Sequence, residues 1–299
     1  PDSLGAYARL GVDAMAMELM PRITRAQSMD VLSSQSNLAG YKAVIDAAAY
    51  YGRAMPMMMT AAGTIAPAKV FVMGAGVAGL QAIATARRLG AVVSATDVRF
   101  AAKEQVESLG ATFVTVDEEA MKNAETEGGY AKEMSEDFKR RQAEFVADHI
   151  AKQDIVITTA LIPGRPAPRL VSADMVRSMK PGSVIVDLAV EAGGNVELSR
   201  PGEAIETSGV TILGFTNVPG RLAADASSLY ARNIYNFIAA FFDKDSKSMK
   251  ADPEDEIIKS VMLTRGGEIV HPAFETVAPQ SAAETSSSDA DSTDAEDED

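Results

Sequence analysis

The chain contains no cysteine, so neither a disulfide framework nor a thiolate metal site is open to it. It has no long apolar run either. Stretches such as Val70 to Met73 and Ser183 to Val190 have the length of core strands, well short of the roughly 20 residues that a membrane helix needs. The opening Pro1-Asp2-Ser3 carries no basic stretch ahead of an apolar one, so no secretory signal is read there. Histidine is scarce: His149 lies in a charged helical section and His271 near the C-terminal tail, and both read as surface residues. No metal-ligand spacing and no serine–histidine arrangement is present. Basic residues are outnumbered 42 to 28, for a net charge of -14, which argues against nucleic acid or an anionic lipid surface as the principal partner. These absences together fit a cytoplasmic address.

What is present suffices for a globular protein. A chain of 299 residues, 46% apolar, can bury one core and more plausibly two. The acidic excess is concentrated at one end: Ser281 to Asp299 contains only Ser, Ala, Thr, Asp and Glu, with eight acidic residues and no basic one. Such a segment cannot bury apolar surface and is expected to be a disordered, solvated tail. At the other end the chain opens on Pro1 and enters within a helix followed by a strand over Asp13 to Leu19, so an N-terminal part of the natural protein is expected to be missing.

Met29 to Arg53 has helical spacing of apolar residues, with Gly40 inside it, and ends before a loop from Met55 to Pro67. The run Met55, Met57, Met58, Met59 is read as core or interdomain filler. From Ala68 onward strands and helices alternate. Strands are expected at Val70 to Met73, Val92 to Thr96, Thr112 to Val114, Ile155 to Thr158, Val184 to Asp187 and Val210 to Leu213. Helices are expected over Val77 to Leu89 and through Glu104 and Val106, and Asp117 to Lys152 is a long charged section. Continuous β-branched strands separated by helices predict a doubly wound parallel α/β sheet of the Rossmann type. Arg221 to Phe242 reads as one long amphipathic helix, and Glu254 to Val270 as holding a hairpin around Gly266 and Gly267. The expected division is therefore a nucleotide-binding domain over residues 39–221, with 1–38 and 222–275 forming the remnant of a discontinuous second α/β domain, and 276–299 the acidic tail.

The strongest local signal is Gly74-Ala75-Gly76-Val77-Ala78-Gly79, a G-x-G-x-x-G that follows an apolar strand and opens a helix, the context that gives this motif meaning. Gly74 permits the tight turn, Gly76 lets backbone approach a pyrophosphate, and Gly79 lets the helix pack close to the strand. The helix N-terminus offers free N–H groups and the positive dipole end to phosphates. Asp97, in Asp97-Val98-Arg99, ends the next strand about 20 residues on, where an acid accepts hydrogen bonds from the adenosine ribose. That position selects NAD(H) over NADP(H), although Arg99 could instead serve a 2′-phosphate.

Groups for proton chemistry are few. A dehydrogenase acting on an alcohol or amine must move a proton as well as a hydride. Asp187 and Glu191 stand at a strand's C-terminal end, where this fold places ligands, and Asp187 is read as orienting loops or cofactor. Hydride transfer between two nicotinamides needs no acid or base, since the cofactors carry the chemistry.

The segment Met20-Pro21-Arg22-Ile23-Thr24-Arg25-Ala26-Gln27-Ser28-Met29-Asp30-Val31-Leu32-Ser33, continuing to Tyr41, resembles the "RQD loop" of domain I of proton-translocating nicotinamide nucleotide transhydrogenase. The resemblance continues through Thr60 to Thr64, the glycine fingerprint, Gly128-Gly129-Tyr130-Ala131-Lys132-Glu133-Met134, Thr158 to Gly164 and Thr216 to Pro219, and spans nearly all of Asp13 to Pro272. It implies that Arg22, Gln27 and Asp30 name the loop, with Gln27 and Asp30 holding the nicotinamide carboxamide and ribose and Ser33 completing the group. It implies that Tyr130, hinged at Gly128 and Gly129, lies on a loop closing over the nucleotide. Gly129, Gln142 and Leu161 would be further contacts, alongside Gly74, Gly76, Val77, Ala78, Gly79, Asp97, Val98 and Arg99.

By the same resemblance, this chain would bind NAD(H) and a partner subunit or domain NADP(H). Hydride would pass directly between the two cofactors while a separate membrane-spanning subunit moves protons. The chain would form a homodimer and sit peripherally at the inner membrane through its partners. Two other readings stand beside this one. An alanine dehydrogenase shares the fingerprint and the Asp-Leu-Ala-Val-Glu-Ala-Gly-Gly type of segment, but the RQD-type and Gly-Gly-Tyr loops discriminate against it. A non-catalytic NAD(H)-binding module would bind NADH without transferring hydride.

Overall fold

In the computed structural model, residues 2–124, 135–162 and 165–274 are described. The chain divides into two compact units, residues 29–237 and, from both ends, residues 1–28 with 238–299. The sequence expectation put the divisions near 38 and 221. The larger unit extends further at both ends because the helices entering and leaving it are integral to its packing: Ser34 Oγ donates to Asn233 Oδ1 at 2.8 Å, and Gln35 Nε2 to the Ala226 carbonyl at 3.2 Å.

The larger unit is built on a seven-stranded sheet. Its strands are β1 (Lys69–Met73), β2 (Val92–Thr96), β3 (Thr112–Phe113), β4 (Ile155–Thr158), β5 (Val184–Asp187), β6 (Ala204–Thr207) and β7 (Val210–Leu213), in the order β3-β2-β1-β4-β5-β7-β6. All neighbouring pairs are parallel except β6 with β7. The fold is thus α/β and Rossmann-like, with one antiparallel edge strand that the sequence reading did not anticipate. Val70, Phe71, Val72, Ile155, Val156, Ile157, Val184 and Ile185 are all at most 1% exposed. Strands buried on both faces read as unbroken apolar runs rather than alternating ones, which is why these four-residue stretches were visible in the sequence.

The helices of this unit are α1 (Val31–Tyr50), α2 (Val77–Arg88), α3 (Ala102–Ser108), α4 (Glu118–Ala124), α5 (Glu136–Ile150), α6 (Ala173–Ser178) and α7 (Ala223–Phe241), the last running on past residue 237. The charged section 117–152 therefore contains two helices, and α5 is capped by Ser135, whose Oγ accepts from the Phe138 N–H at 3.2 Å. A β-hairpin, Met58–Thr60 with Gly63–Ile65, occupies the stretch expected to be loop, and its residues are exposed. Met57, Met58 and Met59 are exposed as well, whereas Met55 is 7% exposed and joins the core. The filler reading therefore holds for Met55 and fails for the other three.

His149 also departs from expectation. It is half-buried at the end of α5, with Nε2 2.8 Å from Ser94 Oγ on β2 and its ring edge-on to Phe71 of β1 at 4.7 Å. Burial, reinforced by Lys152 and Lys69, pushes its pKa below the ordinary imidazole value. The sign follows directly. The folded state prefers neutral His149, so this contribution to stability is full above the unfolded value of about 6.5 and is lost as pH falls through the folded value. A His149→Gln variant should accordingly show a shallower fall in melting temperature between about pH 7 and pH 5 than the parent. Parallel melting curves for the two proteins would remove His149 from the account.

In the smaller unit a helix covers Asp2–Arg9, and strands Ala14–Met15, Met262–Arg265 and Glu268–Ile269 form an antiparallel sheet. The last two make the expected hairpin, turning at Gly266 and Gly267 with φ of 58° and 90°. The helix Glu256–Val261 buries Ile257, Ile258 and Val261 completely. Its N-cap, Asp255, receives both terminal nitrogens of Arg25 at 2.8 Å. That hydrogen-bonded guanidinium holds the carboxyl below the usual carboxylate range.

Candidate functional site: a glycine cradle at the strand ends

The sheet order reverses between β1 and β4: the chain steps outward from β1 to β2 and β3, then crosses back to β4. Ligands in open α/β sheets bind outside the carboxyl ends of the strands at such a switch point. The glycine turn lies there. Gly74 adopts φ 102°, a left-handed conformation that glycine tolerates. Its N–H donates to the Thr96 carbonyl at 2.9 Å and its own carbonyl accepts from Thr159 Oγ1 at 3.1 Å, so the turn is tied to β2 on one side and to the end of β4 on the other. A Cβ on Gly79 would stand 1.8 Å from the Gly74 carbonyl oxygen. That contact explains the third glycine: α2 lies against its own entry turn with no room for a side chain.

Gly76 behaves differently. A Cβ there would meet no atom within 4 Å, so the space in front of α2 is open. Gly76 is the N-cap of α2 and no side chain caps the helix. A helix start leaves several backbone N–H groups without intrahelical partners and presents the positive dipole end. Open space, an uncapped helix start and glycine at the approach are what a pyrophosphate requires, and the residues present fit a dinucleotide.

Asp97 follows β2 directly, and its side chain is 7% exposed. Its Oδ2 accepts from the Ala75 N–H at 2.7 Å, and its Oδ1 from the Arg99 N–H at 2.8 Å and from Arg99 Nε at 2.9 Å. Val98 between them is exposed. Gln142, on α5, accepts from the Val116 N–H at 3.0 Å, and Leu161, just beyond β4, is exposed. Asp30 is the N-cap of α1, accepting from the Ser33 N–H at 2.9 Å and from Ser33 Oγ at 2.5 Å, so these two are brought together. α1 in turn lies directly on the cradle helix: a Cβ on Gly40 would come within 2.0 Å of the Ala78 carbonyl oxygen. The glycine that weakened the helix reading is a packing glycine. Asp30 stands about 15 Å along the α1 axis from that crossing at 1.5 Å per residue. Arg22 and Gln27 belong to the smaller unit and are exposed. Gly128, Gly129 and Tyr130 lie outside the described residues.

Asp187 is completely buried, and its carboxylate is spent on the loop that follows β5. It accepts from the N–H groups of Ala189, Asn195 and Val196 at 3.0, 3.2 and 3.1 Å, and from Thr158 Oγ1 at 3.3 Å. Of its two expected roles, the loop-orienting one is the one seen. Glu191 accepts from the Asn217 N–H at 3.0 Å. Two residues escaped the sequence reading as site-builders. Asn195, also fully buried, exchanges hydrogen bonds with Ala160 (3.0 and 2.9 Å) and donates to the Pro168 carbonyl at 2.8 Å, fixing the segment that leads to Leu161. Thr159 is the second, through its bond to Gly74. The available signal was Asn195 placed directly after Gly193 and Gly194, both at positive φ. Among the described residues no cluster of acidic or histidine side chains could hold a metal ion, and no helix is long and apolar enough to cross a membrane.

Comparison with known proteins places this arrangement among relatives. The family model "Alanine dehydrogenase/PNT, C-terminal domain" matches residues 43–272. The first of the polypeptides that make up the NAD(P) transhydrogenase alpha subunit of Rhodospirillum rubrum is 65% identical over 269 residues, covering 90% of this chain and 70% of that protein. Among solved structures, the transhydrogenase from Sinorhizobium meliloti superposes with a TM-score of 0.80 at 60% identity, over 90% of this chain and 71% of that one. An L-alanine dehydrogenase superposes with a TM-score of 0.72 at 26% identity, over 92% and 73%.

Proposed function

The chain belongs to the alanine dehydrogenase/PNT family as a transhydrogenase alpha-subunit domain, and on that premise we propose that it binds NAD(H) and presents it for direct hydride transfer to NADP⁺ on a partner. The observation that carries this reading is the cradle: an uncapped helix start behind open space at Gly76, with Asp97 at the neighbouring strand end. Bound NADH supplies the hydride itself. The chain's own groups bind and orient. The N–H groups at the start of α2 would take the pyrophosphate, with Val77 and Ala78 in that first turn. Asp97 would accept from the adenosine ribose and oppose a 2′-phosphate.

Arg22, Gln27, Asp30 and Ser33 would fix the nicotinamide end, and Gly129, Tyr130, Gln142 and Leu161 would line or close the site. Asp30 and Ser33 sit at the start of a helix packed on the cradle helix, which supports this division of labour because one rigid element then relates the two ends. Nothing in the site as described is arranged as a general acid or base, in keeping with a reaction that moves no proton at the reacting carbon. NADP(H) on a partner subunit or domain, a separate membrane subunit that moves protons, a homodimer, and a cytoplasmic position held peripherally at the membrane by those partners complete the proposal.

The test of the binding step is an equilibrium titration with both reduced cofactors. NADH should bind with clear preference over NADPH, and Asp97→Ala should narrow that preference. Equal affinities in the unsubstituted protein would end the assignment.

A further inference from the structure

Asp97 and Arg99 stand two residues apart beyond β2, and in this class of fold each has a use there: an acid takes ribose hydroxyls, and an arginine accommodates a 2′-phosphate. Here both are present and spent on each other. Arg99 Nε donates to Asp97 Oδ1 at 2.9 Å and Nη2 to Oδ2 at 3.2 Å, while Nη2 also reaches the Ala75 carbonyl at 3.3 Å. The Arg99 and Ala75 N–H groups add donors to Oδ1 and Oδ2 respectively. The carboxylate thus accepts at both oxygens twice over, close to the limit of what it can hold. Its side chain is 7% exposed, whereas that of Arg99 is 40% exposed. The acid is locked in and the guanidinium lies at the surface.

We propose that Arg99 is a latent 2′-phosphate receptor held out of use by Asp97, so that cofactor selectivity is a property of the pair and not of the acid alone. This rests on the NAD(H) reading above and goes beyond it. A guanidinium fork matches a carboxylate or a phosphate, and one fork cannot serve both in two-pronged fashion at once. While the pair is intact its net charge is zero. An approaching 2′-phosphate must then break the fork and also face a carboxylate that has no room to turn away. Once the acid's charge is gone, the fork is released from it on a segment still anchored to β2, and the local charge is positive. The same two residues would then favour the cofactor they exclude in the parent. Removing the acid alone would therefore do more than relieve a repulsion.

The experiment is a set of equilibrium titrations with NADH and NADPH on the parent, Asp97→Asn, Asp97→Asn/Arg99→Leu and Asp97→Asn/Arg99→Lys. Asn keeps the shape of the side chain and one acceptor oxygen. A newly made charge-assisted contact should tighten NADPH binding by about tenfold or more in Asp97→Asn. The gain should disappear in the Leu double variant, persist in part in the Lys variant, and shrink as salt is raised. Equal NADPH affinity in Asp97→Asn and its Leu double variant would overturn the proposal while a parental preference for NADH left the binding assignment intact. A parent with no such preference would sink both. If the Asn substitution prevents folding, Arg99→Leu alone decides. The lock predicts unchanged NADPH affinity, because Arg99 is not in use. A marked loss would mean that Arg99 already serves the phosphate, and a marked gain that it repels it.

Discussion

A Gly79→Ala variant should fold poorly and bind no NADH, whereas Gly76→Ala, three residues earlier in the same motif, should fold normally and fail only in binding. The distinction lies in what each added methyl would meet. At Gly79 it would lie 1.8 Å from the Gly74 carbonyl oxygen, 2.8 Å from its carbon and 3.4 Å from Thr159 Oγ1. A backbone oxygen cannot swing aside as a side chain can. This one also accepts the 3.1 Å bond from Thr159 that ties the turn to β4, so relief at one contact breaks another. Ordinary overpacking costs about 1–3 kcal/mol, and a contact this short against fixed backbone should reach or exceed about 3 kcal/mol. At Gly76 the backbone is at φ -77° and ψ -166°, and nothing lies within 4 Å, so alanine is tolerated until a pyrophosphate has to approach. Urea denaturation alongside NADH titration separates the two. A Gly79→Ala protein with parental stability would mean that the helix–turn contact is softer than described.

The second large effect concerns rate. Gln27 is assigned to the nicotinamide end, whereas the pyrophosphate and ribose contacts are assigned to α2 and Asp97. Gln27→Asn keeps the amide and shortens its reach. A misplacement of about 1 Å at a reacting centre can cost about 100-fold in rate, while the adenosine-side contacts that hold the cofactor stay untouched. Hydride transfer should therefore fall by about two orders of magnitude with a much smaller loss of NADH affinity. Stopped-flow transfer to an oxidised NADP analogue on the partner, set beside NADH titration, reads both quantities. A common factor for the two, or no change in either, would make Gln27 a structural residue.

Much of this was legible in the sequence because buried parallel strands and a glycine turn leave local signatures. Val92–Thr96, Ile155–Thr158, Val184–Asp187 and Val210–Leu213 have the bounds that their β-branched runs suggested. What escaped notice depended on contacts distant in sequence or on shorter patterns. The edge strand Ala204–Thr207 is half-exposed and alternates, so it makes no apolar run, yet the two-residue turn Ser208-Gly209, with φ of 53° and 76°, marks a hairpin in plain view. Helical phase could have placed His149 beside the buried Val146 and Ile150, but the charges around it suggested a surface residue. Gly40 was read as a weakness in α1 because its reason lies 38 residues away, at Ala78 of α2. The Asp97–Arg99 pair was seen as two competing signals. Only three-dimensional geometry shows them neutralising one another.

The central claim, that this chain offers NADH to a second nicotinamide, is tested most directly by a single-turnover measurement. The subunit as its gene encodes it would be loaded with NADH and mixed with an NADP(H)-binding transhydrogenase component carrying an oxidised NADP analogue. The account predicts rapid oxidation of NADH matched one for one by reduction of the analogue, and no oxidation of NADH when pyruvate and ammonium are offered in its place. Tight NADH binding with no transfer to the analogue, or NADH-dependent amination of pyruvate, would contradict it.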